Sequence, residues 1–90
     1  MDIEVTNNRS AKRFETTMDD ALAVLEYELE DGVLTLVHTG VPSVLEGKGI
    51  GGRLVKAALE FASEQGLKVV PLCPFVRSYI ERHKEYQRLL

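Results

Sequence analysis

Several things are scarce in this 90-residue chain, and each scarcity excludes something. A single cysteine, Cys73, rules out an internal disulfide and fits a reducing compartment. No apolar run approaches the roughly 20 residues that span a bilayer. The start, Met1-Asp2-Ile3-Glu4, has neither the basic opening nor the apolar stretch of a signal peptide, so a cytoplasmic protein is expected. Positive charge is not in excess: the net charge of -3 gives no footprint for nucleic acid. The C-terminal bases Arg77, Arg82, Lys84 and Arg88 are interleaved with Glu81 and Glu85, as on a solvated helix face. There is no low-complexity segment and no internal repeat.

What is present is ordinary for a folded domain: 44% hydrophobic and 28% charged residues. The length suits one core and one domain over residues 1–90. Alternation predicts strands over Ile3–Thr6, ended by a turn at Asn7-Asn8, and over Arg13–Thr17, with Phe14 and Thr16 inward. Ala21–Glu30 is read as a strand despite its helix-favouring Ala, Leu and Glu, because Asp31-Gly32 follows as a hairpin turn. Val33–Val41 is the next strand, ended by Pro42.

Ile50 to about Gln65 carries apolar residues at helical spacing and stops at Gly66, a C-terminal cap. Leu67–Leu72 is a short strand. Cys73-Pro74 forms a junction into a helix from Phe75 to Arg82, with Val76, Tyr79 and Ile80 toward the core. The tail to Leu90 packs through Tyr86, Leu89 and Leu90. The fold class is therefore α+β: a mostly antiparallel sheet with one parallel strand–helix–strand unit, crossing over right-handed, and a C-terminal helix.

Chemistry concentrates at Gly47-Lys48-Gly49-Ile50-Gly51-Gly52, a glycine-rich turn running into the helix. Open backbone N–H groups and the positive end of the helix dipole make a seat for an anion, most often a phosphate. A dinucleotide reading fails, because the next strand ends in Leu72-Cys73-Pro74 with no carboxylate for a ribose, and a hairpin sheet precedes the turn. A Walker-type loop lacks its Gly-Lys-Ser/Thr. A turn with no ligand is the structural alternative.

Glu46-Gly47-Lys48-Gly49-Ile50-Gly51 resembles the acetyl-CoA motif Q/R-x-x-G-x-G/A of the GNAT superfamily of N-acetyltransferases. Tyr27, His38-Thr39-Gly40-Val41-Pro42, Pro71-Leu72-Cys73-Pro74-Phe75-Val76, Tyr79-Ile80, His83 and Glu85-Tyr86 extend the resemblance to its compact single-domain, YjdJ-type branch. It covers nearly the whole chain. Glu46 departs from the motif, since a carboxylate there repels phosphate if it points inward, while Lys48 or Arg53 offsets it.

The resemblance implies acetyl-CoA as cosubstrate, with no metal, and an amine acceptor. It places the pyrophosphate on Gly47, Lys48, Gly49, Ile50, Gly51 and Gly52. It implies that the thioester arm lies between splayed fourth and fifth strands, with main-chain groups of Val41 bonding the pantetheine amides, and that Pro74 and Phe75 also contact the cofactor. Pro42 and Pro71, which lack N–H groups, give a physical reason for pairing to fail there.

Cys73 sits where the cleft ends, at a helix N-terminus that favours thiolate, and is a candidate nucleophile or acetyl carrier. A small buried apolar residue is its bland reading. His38 is the candidate proton acceptor, for Cys73 or for the amine, against a structural strand histidine. His83 is read as capping or packing. Many members of the superfamily use a tyrosine on the last helix as general acid; here that offset falls on Ile80. Tyr79, one residue earlier and turned by about 100°, is read as facing the core. Ninety residues leave little material for an acceptor pocket, so a second subunit (a homodimer) or a partner protein is expected to complete it. The rival reading is a CoA-binding or protein-interaction module that keeps the fold without turnover.

Overall fold

A computed structural model describes residues 3–90. In chain order these form β1 (Thr6–Asn8), β2 (Arg13–Met18), β3 (Ala21–Glu30), β4 (Val33–Gly40), a 3-10 turn (Ser43–Leu45), α1 (Ile50–Gln65), β5 (Lys68–Pro71), α2 (Pro74–Arg82) and a 3-10 tail (Lys84–Leu89). The five strands lie side by side in sequence order. β1 to β4 pair antiparallel, and β4 pairs with β5 in parallel across α1.

Turn chemistry fixes the hairpins. Asp19-Asp20 and Asp31-Gly32 both adopt positive φ at their two central positions, the twist that two-residue hairpins require. Strand β1 differs from expectation: it covers Thr6–Asn8, and Asn7-Asn8 pairs with Phe14 and Arg13 instead of turning. The asparagines are spent elsewhere. Asn7 Oδ1 accepts from the Tyr27 hydroxyl at 2.7 Å. Asn8 Oδ1 accepts from the Ala11 N–H at 3.1 Å and so opens the real turn, at residues 9–12.

All the helices pack on one face of the sheet. Ala23, Leu25 and Tyr27 from β3, and Leu34 and Leu36 from β4, meet Leu54, Val55, Ala58, Leu59 and Ala62 of α1, with Val76 and Ile80 of α2 and Tyr86 and Leu89 of the tail. Each large aliphatic side chain buried there contributes about 1.5–3 kcal/mol. Leu90, expected as an anchor, is 52% exposed; Tyr86 and Leu89 pack the tail without it. Among the described residues no helix is long and apolar enough to cross a membrane.

Two irregularities in β4 make the site. Tyr27 pairs with Leu36 but Glu26 pairs with His38, so Val37 is an extra residue, a β-bulge. On the other side, pairing with β5 stops at Leu36 and Pro71. The Leu36 carbonyl then accepts from both Leu72 and Cys73, at 3.0 and 3.2 Å, turning the chain into α2. Residues 37–40 of β4 are left with no strand partner on that side. A bulge bends its own strand, which widens this opening.

Candidate active site

The glycine turn is built from backbone. Gly47 and Gly49 have φ of 80° and 74°, a region that other residues rarely enter. Gly49 caps α1 without any side-chain hydrogen bond, leaving the first N–H groups of the helix as open donors. Below the turn, fully buried Leu45 plugs the space between it and the core.

Beside the turn lies a cavity of about 330 Å³, lined by Thr39, Val41, Leu45, Glu46, Gly47, Gly49, Ile50, Gly51, Gly52 and Phe75. Seven of the expected cofactor-contacting residues thus line one space: Val41, Gly47, Gly49, Ile50, Gly51, Gly52 and Phe75. Lys48, exposed at the tip of the turn, and Pro74, exposed at the start of α2, lie outside the lining. Open donors, positive-φ glycines and an adjoining unpaired strand edge fit an elongated ligand that carries phosphates. Glu46 is exposed and lines the same space, so its carboxylate stands near the anion seat.

Helix α2 closes the cavity from the other side. A Cβ added to Gly51 would come within 2.8 Å of Phe75 Cζ, and one added to Gly52 within 3.5 Å of the Tyr79 ring. These glycines therefore allow α2 to lean on the first turn of α1, besides exposing backbone to a ligand. Tyr79 packs its ring on His83, 4.0 Å between centroids, and stands 6.3 Å from Tyr86. It faces α1 and the tail, in line with the one-residue offset. His83 caps α2 and carries that stack.

Cys73 is the N-cap of α2 and is buried, 8% exposed. Its sulfur lies 3.5 Å from Thr39 Oγ1. Burial pushes the thiol up. The Thr39 hydroxyl, then the backbone N–H groups of Val76, Phe75 and Thr39, more than offset it and hold the pKa below the ordinary thiol value. The neutral thiol closes no capping bond onto these groups; they are the donors a thiolate would meet. Cys73 does not itself line the cavity: Thr39 stands between.

The structure does not bring His38 to Cys73. His38 pairs with exposed Glu26, whereas Thr39 pairs with buried Leu25. His38 is thus on the open face of the sheet and Thr39 on the helix face. Unbroken alternation from Leu34 and Leu36 would have turned His38 inward; the extra Val37 gives that place to Thr39. Sequence reasoning missed Thr39 for this reason. It also missed Leu45, which the sequence does not distinguish from its apolar neighbour Val44, although the structure buries the first and exposes the second.

The profile describing the GCN5-related N-acetyl-transferase family matches residues 13–89. Protein NATD1 of Gallus gallus is 33% identical over 84 residues, spanning 90% of this chain and 76% of its own length. Protein NATD1 of Homo sapiens is likewise 33% identical over 84 residues, spanning 90% of this chain and 74% of its own. Among solved structures, a GCN5-like protein of Staphylococcus aureus determined by NMR superposes with a TM-score of 0.75 at 31% identity, covering 96% of this chain and 85% of that one. Cleft, cradle, profile and relatives agree over most of the length, and the chain belongs to the GCN5-related N-acetyltransferase family.

Proposed function

We propose that the protein transfers acetyl from acetyl-CoA to a primary amine. The observation that carries this reading is the end of β4–β5 pairing at Leu36 and Pro71, directly beside the glycine-lined cavity. An opening with free main-chain groups on one wall suits the pantetheine amides, and the adjoining α1 N-terminus suits the pyrophosphate. Val41, Gly47, Lys48, Gly49, Ile50, Gly51, Gly52, Pro74 and Phe75 are the proposed contacts, with Lys48 reaching in from the tip of the turn.

Two routes are chemically consistent. In the direct one, the amine attacks the thioester carbonyl, the C–S bond breaks, and the electron pair leaves with the coenzyme A sulfur. His38, on the open face, would take the ammonium proton there. In the stepwise one, the Cys73 thiolate attacks first, and acetyl passes from one thioester to another at nearly equal energy before the amine receives it. The lowered thiol pKa of Cys73 favours the second route. His38 takes no part in activating the sulfur, because it stands on the other face of the sheet.

The second reading, a coenzyme A-binding or protein-interaction module without turnover, draws on Glu46 in the lining and on Tyr79 turned toward α1. One experiment separates the two. Acetyl-CoA at a hundredfold its Kd should stabilise the native state by about 2.7 kcal/mol under either reading. Intact mass after incubation should then show one added acetyl group, absent in Cys73→Ala, and the group should pass to a panel of primary amines. Coenzyme A binding with neither acetylation nor transfer would establish the module. No stabilisation by coenzyme A or acetyl-CoA would overturn both.

A further inference from the structure

Three features around Thr39 have separate origins and meet on one side chain. The Val37 bulge turns Thr39, instead of His38, to the helix face. Thr39 lines the 330 Å³ cavity, which Cys73 does not. The Thr39 hydroxyl lies 3.5 Å from the Cys73 sulfur, across 34 residues of chain. Thr39 is thus a side chain that touches both the space proposed for the thioester and the proposed acetyl carrier. We infer that Thr39 is the positioning residue for Cys73: its hydroxyl donates to the sulfur and holds it at the inner wall of the cleft, aimed at the thioester carbonyl.

The chemistry follows from the donor. A threonine hydroxyl has one proton to give, and a thiolate accepts it more strongly than a thiol does. Cys73 enters the reaction as thiolate, its proton having gone to solvent. The new S–C bond forms on Cys73 while the C–S bond to coenzyme A breaks, and the electron pair leaves on the coenzyme A sulfur. Thr39 lies across from buried Leu25 on the helix face of the sheet, the face on which Cys73 is buried.

This inference rests on the reading of Cys73 as acetyl carrier, and its test keeps the two apart. Thr39→Val keeps the shape and loses the donor; Thr39→Ser keeps the donor and loses the methyl. Melting temperatures confirm that each variant is folded. The rate of Cys73 alkylation by iodoacetamide is followed against pH, and the rate of acetyl gain from acetyl-CoA by intact mass. The expected result for Thr39→Val is an alkylation midpoint raised by about one pH unit, the loss of one hydrogen bond to a charged group. Acetyl gain should slow at least about tenfold in the same variant, and Thr39→Ser should restore most of both. A Thr39→Val protein that alkylates and acetylates like the wild type overturns the inference while leaving the carrier reading intact. A raised midpoint in a protein whose wild type takes up no acetyl supports the hold on the sulfur and removes the carrier role.

Discussion

The ring of Phe75 rests on Gly51, where an added Cβ would meet Cζ at 2.8 Å. This contact joins the N-terminal turns of α1 and α2 across the mouth of the cleft, so the glycine motif serves helix packing as well as ligand approach. Gly51→Ala should therefore separate stability from binding. Alanine gains up to about 1 kcal/mol of helix propensity over glycine, and Phe75, 41% exposed, has room to swing aside. The melting temperature is expected to change little while coenzyme A affinity falls, and Phe75→Leu should recover affinity in the double variant. Calorimetric titration of the four proteins checks this.

Glu46 occupies the position where the family motif carries Gln or Arg. Glu46 is exposed and lines the same space as the glycine turn, so the cost of its charge is modest and screened. Glu46→Gln is expected to tighten coenzyme A binding about three- to fivefold at low ionic strength, with the gain shrinking as salt is added. Equal affinities at 20 and 300 mM salt, each about the same as wild type, would show that the carboxylate points away.

His38 and Cys73 stand on opposite faces, so their roles should come apart. His38→Ala is expected to leave the pH profile of Cys73 alkylation where it is, and to slow only transfer to the amine, by about 10²- to 10⁴-fold if it is the base. A shifted alkylation profile would mean that the imidazole reaches the sulfur after all.

Tyr86 links the tail to α1 through a 2.8 Å hydrogen bond from its hydroxyl to Glu60 Oε2. Burial, then that bond and the charge of Glu60, push its pKa up to about 12. The native state therefore keeps this proton between about pH 10 and 12 while the unfolded chain releases it, so stability is full below pH 10 and falls as pH rises through that window. Tyr79, also raised by burial and by Glu85, adds in the same direction. Thermal melts from pH 9 to 11.5 should show a shallower decline in Tyr86→Phe than in the wild type.

Much of the fold was legible because local signals agreed. Asp31-Gly32 between alternating runs announced its hairpin, and Gly66 marked the end of α1. Strand β1 was displaced because asparagine marks turns only where its side chain is free to bond its own backbone, and Asn7 is held by Tyr27. The glycine turn could be read, since glycine at positive φ leaves a sequence trace. The bulge left none: the spacing of Leu34, Leu36 and His38 reads as unbroken alternation, and no residue type marks Val37 as the extra one. The pairing of Tyr27 with Leu36 and Glu26 with His38 decides the matter, and pairing is a property of two strands.

Val37 has a last consequence, for chain length. Deleting it would keep Tyr27 opposite Leu36 and Glu26 opposite His38, so every side chain beyond it would hold its face. What would go is the bend. A straight β4 would run closer to the junction of β5 and α2, and the doorway would narrow with its lining residues unchanged. The width of the entrance is thus set by a count of residues, and a comparison of side chains position by position would not detect its loss.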